Sequence, residues 1–392
     1  MLALDNIKVL DITTRAPGPF CSMTLSDMGA EVLMIEAPPG TGSLPTREDG
    51  GDEVGRAAID PFRRNKRSMV LNLKDPDAQR IFRDLAKDAD VVMEGFRPGA
   101  VKRLGVDYDT IRAINPRLVY CSISGYGQNG PYEQLPGHDI NYISFAGILG
   151  SMGTPEGQPV IPNNFVADFA SGGLLGAFSI LSALWARERT GRGQYVDLSL
   201  TDGSMYLLAN IIKDYYAEGI VTEPGKMHLN GGFPDYYPYR CKDGKYLSVG
   251  ALEQKFWDSL CNAIERPDMI PRRGTDPAGV LAELKVIFLQ RTRDDWFDHF
   301  ARVDTAVGKV YSVDELDADP QIKARDMLIP VPGPGGKAYP QVGIAPKLSD
   351  TPGNIRFVGA PAGAHTNEVL RELGRSDDDI ARLTKQGAVI AP

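Results

Sequence analysis

The chain has 392 residues and a net charge of −8, from 43 basic and 51 acidic side chains, a balance that argues against a nucleic-acid partner. Hydrophobic residues make up 42% and charged residues 24%, as in ordinary globular enzymes, and the length exceeds one core, so two domains are expected. Four cysteines, at 21, 121, 241 and 261, form no CxxC pair; this gives no support to a zinc or disulfide framework and suits a reducing, cytoplasmic compartment.

In chain order, the first 125 residues alternate between apolar runs and helical segments. "KVLDIT" (8–13) reads as a strand, "GPFCSMTLSDMGA" as a helix and "EVLMIEA" as a second strand. "SMVLNL" (68–73), "VVMEGF" (91–96) and "LVYCSIS" (118–124) are further strands, with a helix from Asp75–Pro76 onward that opens on good capping chemistry. Such alternation implies an α/β fold with a parallel sheet covered on both faces. The segment 169–186 carries no charge but is rich in glycine and serine. It is expected to be a buried, closely packed helix and not a membrane span. No targeting segment is read at the N-terminus, where Asp5 interrupts the apolar run.

After "YVDLSL" (195–200), residues 201–219 read as one long helix. A β-hairpin is expected in "YYPYRCKDGKYLSVGAL", with Asp243–Gly244 at its turn. Amphipathic helices follow in "EQKFWDSLCNAI" and "RDDWFDHFARV". The division is therefore a large α/β domain over 1–200, a linker helix over 201–224 and a smaller α+β domain over 225–329. The Pro- and Gly-rich "PVPGPGGKAYP" (330–340) leads into a C-terminal tail.

Several chemistries lose their main support. There is no GxGxxG after the first strand, no GxxxxGK[ST] anywhere and no GxSxG elbow. The histidines at 138, 228, 299 and 365 have no metal-ligand spacing, so no metal is expected. Basic residues cluster in "RRNKR" (63–67) with Lys74, and in "FRPGAVKRLG" with Arg97, Lys102 and Arg103. Near the ends of parallel strands such patches suit a multiply phosphorylated ligand. Asp168, before the uncharged helix, reads as an N-cap whose carboxylate the helix dipole would keep ionised. Gly172 and Gly173 would let a ligand approach the first helical turn. His138 either starts a helix or serves as a base. Met152 and Met205 offer an adaptable apolar surface, or plain core.

The stretches "IKVLDITTRAPGPFCSMTLSDMGAEVLMIEAP", "GFRPGAVKRLG", "SISGYGQNGPY", "RTGRGQYVDLSLTDG" and "HTNEVL" resemble the type III CoA-transferase family along nearly the whole chain. "GHDINYIS", "VADFASGG" and "GGFPDYYPYRCKDGKYLSVGALEQKFW" look most like its α-methylacyl-CoA racemase branch. The resemblance implies a nucleotide-binding-like large domain, a small α+β domain and an interlocked homodimer. In it, the tail (330–392) returns to the large domain. The site would lie between one chain's large domain and the partner's small domain. It implies an acyl-CoA substrate, no cofactor beyond the CoA that the substrate carries, and no membrane partner. His138 and Asp168 match the two catalytic bases, and Glu253 a carboxylate that supports the histidine. Leu71, Asn72, Leu73 and Lys74, with Gly95, Phe96 and Arg97, match CoA-binding positions; Arg103 and Gly137 are assigned to the same set. One departure is Ala37, where many relatives carry an arginine that stacks on adenine. Asp168 also falls where transferases carry a nucleophilic aspartate, so a CoA-transferase is the alternative reading. A CoA-thioester binding protein without activity is a third.

Overall fold

The computed structural model describes residues 1–39 and 52–391. They form two compact units: Met1–Ala146 with Pro162–Leu207 and Ala324–Pro392, and Gly147–Ile161 with Leu208–Lys323.

The first unit is built on six parallel strands: β1 (Lys8–Asp11), β2 (Glu31–Glu36), β3 (Lys66–Leu71), β4 (Val91–Glu94), β5 (Val119–Ser124) and β6 (Tyr195–Ser199). Their order is β3-β2-β1-β4-β5-β6. A short strand, Val389–Ile390, adds antiparallel to the outer edge of β3. The strands are apolar on both faces because helices cover both, and Leu10, Leu33, Met69, Val92 and Tyr120 are all buried. Between β1 and β4 the strand order reverses direction. The carboxyl ends of the strands at such a switch point are where open α/β sheets take ligands. Helix α1 (Pro17–Asp27) follows β1, and α2 (Pro76–Ala86) follows β3. Asp75 caps α2 through its carboxylate, which accepts from the Asp77 and Ala78 amides, with Pro76 opening the helix as the sequence predicts. A short helix, α3 (Asp139–Phe145), comes after β5.

The uncharged segment lies in one helical stretch, Phe165–Thr190, long and apolar enough to cross a membrane by length and composition. Its first part, Phe165–Leu174, is π-helical, and α4 (Leu175–Thr190) continues it. The expectation of a buried helix holds for one face only. Gly176, Ala177, Ile180 and Ala183 are buried, whereas Leu174, Phe178, Leu181 and Trp185 are 41–66% exposed. These four recur at helical spacing and form one apolar stripe.

The expected long helix over 201–219 is two: α5 (Leu200–Tyr206) and α6 (Ala209–Glu218). The break at Leu207–Leu208 coincides with the passage of the chain from one unit to the other. Residues 147–161 also group with the second unit, although the sequence reading assigns them to the first. In that unit the expected hairpin forms from β7 (Tyr236–Arg240) and β8 (Tyr246–Gly250), with Gly244 in the left-handed region at φ +81°. A third strand, β9 (Val307–Val310), pairs with β8. Helix α7 (Gln254–Ala263) packs Trp257 and Leu260 into this unit's own core. The Pro- and Gly-rich stretch near 330–340 is no bare linker. It makes the antiparallel pair Leu328–Pro332 and Ala338–Val342 within the first unit.

Candidate functional site

At the sheet's switch point, the loop after β1 carries Arg15, and the turn after β4 carries Gly95, Phe96 and Arg97. The turn is set by Glu94, which is buried at the end of β4 and accepts a hydrogen bond from the Phe96 amide at 2.7 Å. Burial pushes the Glu94 carboxyl up to about 7, against the opposing effect of Ser122 and that amide. Arg97, Lys102 and Arg103 are exposed, as is Lys74 beyond the end of β3, and among the described residues none of the four forms an ion pair. Leu71 is inside β3, and the Asn72 amide donates to Ala388 O at 2.9 Å, so the returning tail fixes the start of the 71–74 turn.

"RRNKR" does not supply phosphate ligands. It stands at the amino end of β3, and its charges are consumed within the chain. Arg63 grips Glu36 through two hydrogen bonds, at 2.9 and 2.7 Å. Arg64, 1% exposed, holds Asp27 at 3.0 and 2.5 Å. Lys66 is fully buried, donates to Pro19 O and Ser22 Oγ, and is pulled down to about 8 by burial. Arg67 meets Glu368 and Glu372. The residues that neutralise this run lie up to 305 positions away, which is why the pattern alone misreads it.

His138 and Asp168 are brought together. His138 is exposed and is the N-cap of α3, where Asn141 Oδ1 accepts from its backbone amide at 3.0 Å. The helix-start reading of this residue holds, and the imidazole is left exposed. The next residue, Asp139, is 5% exposed, and its Oδ2 accepts from the amides of Ala167 at 2.8 Å and Asp168 at 2.9 Å. Those amides belong to the first turn of the π-helical segment, whose leading donors have no partner within the helix. Asp168 is thus not an N-cap; Asn164 is, and its Nδ2 donates to Asp168 Oδ2 at 3.1 Å. Burial raises the Asp168 carboxyl above its ordinary value; Asn164 opposes this, Asp139 adds to it, and His138 and Arg15 oppose it. This runs against the expectation of a dipole-stabilised carboxylate, because desolvation is the larger effect.

Tyr142, one turn into α3, donates to Gly137 O at 2.6 Å, and burial pushes its hydroxyl up to about 12. The charges of Asp168, Arg15 and Arg97 all act on it, so the turn after β4 and the His138–Asp168 pair share one neighbourhood. Gly137 is held against this ring: a Cβ there would lie 2.7 Å from Tyr142 Cε1. The glycines of the π-helical segment serve packing instead of ligand approach. A Cβ on Gly172 would meet Pro17 and Leu200 at 2.5 Å, and one on Gly173 would meet Phe20 at 2.3 Å. Glu253 belongs to the second unit, as the exposed N-cap of α7, and its carboxylate makes no hydrogen bond or ion pair among the described residues. Met205 is exposed on α5, Met152 is in the second unit, and Ala37 is exposed just past β2. Sequence reasoning missed Arg15, Asp139 and Tyr142. Arg15 could have been found from its place directly after a strand end, and Asp139 from its adjacency to His138.

Residues 4–366 match CoA-transferase family III. The chain is 34% identical over 386 residues to the α-methylacyl-CoA racemase of Homo sapiens, covering 97% of this chain and 96% of that protein. It is 33% identical over 411 residues to the succinyl-CoA–L-malate CoA-transferase beta subunit of Chloroflexus aurantiacus, covering 99% and 98%. Among solved structures, a CAIB/BAIF family protein from Brucella suis superposes with a TM-score of 0.79 at 29% identity, covering 95% of this chain and 99% of the other.

Proposed function

The chain is an enzyme of CoA-transferase family III, and from that premise we propose that it inverts the α-carbon of 2-methylacyl-CoA thioesters. One observation carries the reading: an exposed imidazole, His138, is joined through Asp139 to the helix that presents the Asp168 carboxyl. Inversion needs two bases of different kind. One removes the α-proton, leaving an enolate whose charge rests on the thioester oxygen, and the other returns a proton to the opposite face. A carboxyl and an imidazole are bases of different kind, suited to opposite faces of the α-carbon because one can be protonated while the other is not. Glu253 keeps an uncommitted carboxylate for the supporting role that the resemblance gives it. No metal or redox group enters this chemistry, and we place the enzyme in the cytoplasm. The test is α-proton exchange in D₂O with a single enantiomer of a 2-methylacyl-CoA, followed by NMR. Deuterium entering the α-position with loss of optical purity is expected.

The alternative is transfer of CoA between carboxylic acids through Asp168 as nucleophile, favoured by the 33% identity to a CoA-transferase. Movement of CoA to an added free acid, with no deuterium at the α-carbon, would establish it and remove the racemase reading.

CoA is expected to be recognised through Arg97, Lys74 and Arg103, which are exposed near the carboxyl ends of β3 and β4 and, like Lys102, form no ion pair among the described residues. Arg97→Ala and Lys74→Ala should raise KM more than they lower kcat. Equal binding of a 2-methyl acid and its CoA ester by calorimetry would count against this assignment. We also propose that the working unit is a homodimer. The stripe of Leu174, Phe178, Leu181 and Trp185 is the kind of apolar surface that a soluble chain covers. Light scattering should give twice the monomer mass without detergent; a fully active monomer would reject the dimer.

A further inference from the structure

The buried Asp139 has no part in the proton transfers above, yet it touches both halves of the pair. It is the first residue of α3, directly after His138, and it accepts from two amides of the π-helical turn, one of them that of Asp168 itself. Its other oxygen, Oδ1, is buried without a hydrogen-bond partner among the described residues. A carboxylate that gives up its hydration for two backbone donors is an anchor, and one side chain is enough to fix the register of a helix end. The geometry points to Asp139 as the positioning residue of this site: it locks the turn that presents Asp168 against the helix that begins at His138.

The locking follows from covalent adjacency. Moving the π-helical turn away from α3 would break both bonds to Oδ2, and His138 cannot shift without dragging Asp139. The charge of Asp139 acts as well, with a defined sign. Five groups act on or beside Asp168: Asn164, Asp139, His138 and Arg15, together with the Tyr142 hydroxyl. Of those acting on its carboxyl, Asp139 alone adds to the effect of burial, whereas Asn164, His138 and Arg15 lower its proton affinity. The proposal rests on the reading that Asp168 is the reacting carboxyl, and it applies whether that group moves a proton or attacks a thioester.

The first variant is Asp139→Asn. Its carbonyl can accept both amides, so the turn stays in register, but the charge is gone. Exchange of the α-proton of the enantiomer deprotonated by Asp168 rises as that carboxyl ionises, and in the variant this rise is expected at lower pH. Asp139→Ala loses both bonds. It is expected to lower kcat about 10- to 100-fold, the scale of a misplaced reacting group, with KM for the thioester within about twofold because the CoA contacts lie elsewhere. Melting temperatures are read alongside, so that Asp139→Asn carries the test if Asp139→Ala does not fold. Asp168→Asn is the control. If it abolishes turnover while a folded Asp139→Ala keeps the wild-type kcat, or Asp139→Asn keeps the wild-type pH profile where Asp139→Ala does not fold, the role of Asp139 is overturned and the assignment of Asp168 stands. If Asp168→Asn is fully active, both fall.

Discussion

His138→Ala is expected to lower racemisation of a 2-methylacyl-CoA by about 10²–10⁴-fold, the usual contribution of a positioned acid–base group. What remains is as informative as what is lost. Asp168 is anchored by its own helix, by Asn164 and by Asp139, none of which depends on the imidazole. It should therefore still exchange the α-proton of one enantiomer. Asp168→Ala should give the mirror pattern, with exchange confined to the other enantiomer. Neither change removes a buried contact on which the fold depends, since His138 is exposed and Asp168 is half-buried, so melting should change little. Chiral analysis of the recovered thioester, together with NMR of the α-position, reads both effects. A transferase gives a different outcome: Asp168→Ala is dead, His138→Ala is nearly normal, and the α-proton never exchanges.

Arg64→Ala is expected to cost about 3–5 kcal/mol of stability, the range for removing one member of a buried ion pair. The guanidinium is 1% exposed and spends its donors on Asp27 and on Val342 O. Burial already raises the Asp27 carboxyl despite the arginine, so a lone carboxylate there would be poorly tolerated. Replacing both members by apolar residues of similar size should recover much of the loss, because the pair's mutual attraction is largely offset by its desolvation. Urea denaturation measures both. The folded fraction of Arg64→Ala should bind CoA thioesters normally, unlike Arg97→Ala. A melting point equal to wild type, or a selective loss of CoA binding, would return "RRNKR" to the ligand site.

That reversal marks the boundary between what the chain states locally and what folding adds. The sequence by itself determined most strands of the large sheet, one helix start and one hairpin, though not the division of 201–219 into two helices. Apolar runs at 8–13, 31–37, 68–73, 91–96 and 118–124 became five of the six parallel strands, because a strand buried between helices is mostly apolar. The sixth, Tyr195–Ser199, carries an exposed Asp197 and was not read as a strand. The Asp75–Pro76 helix start and the hairpin around Gly244 were legible, since caps and turns are fixed by a few adjacent residues. His138 and Asp168 were singled out through family resemblance, and the fold brings them into one neighbourhood. Only the tertiary structure decided which charges remain available. Arg63, Arg64 and Arg67 look like Arg97 in sequence, but Glu36, Asp27, Glu368 and Glu372 neutralise the first three and none of these carboxylates adjoins them in the chain. Likewise, Asp139 is one more polar residue at a helix start until the fold brings the amides of Ala167 and Asp168, 28 and 29 positions on, within reach of its carboxylate. Charge pairing and desolvation depend on distance through space, and a linear pattern fixes that only within a few residues.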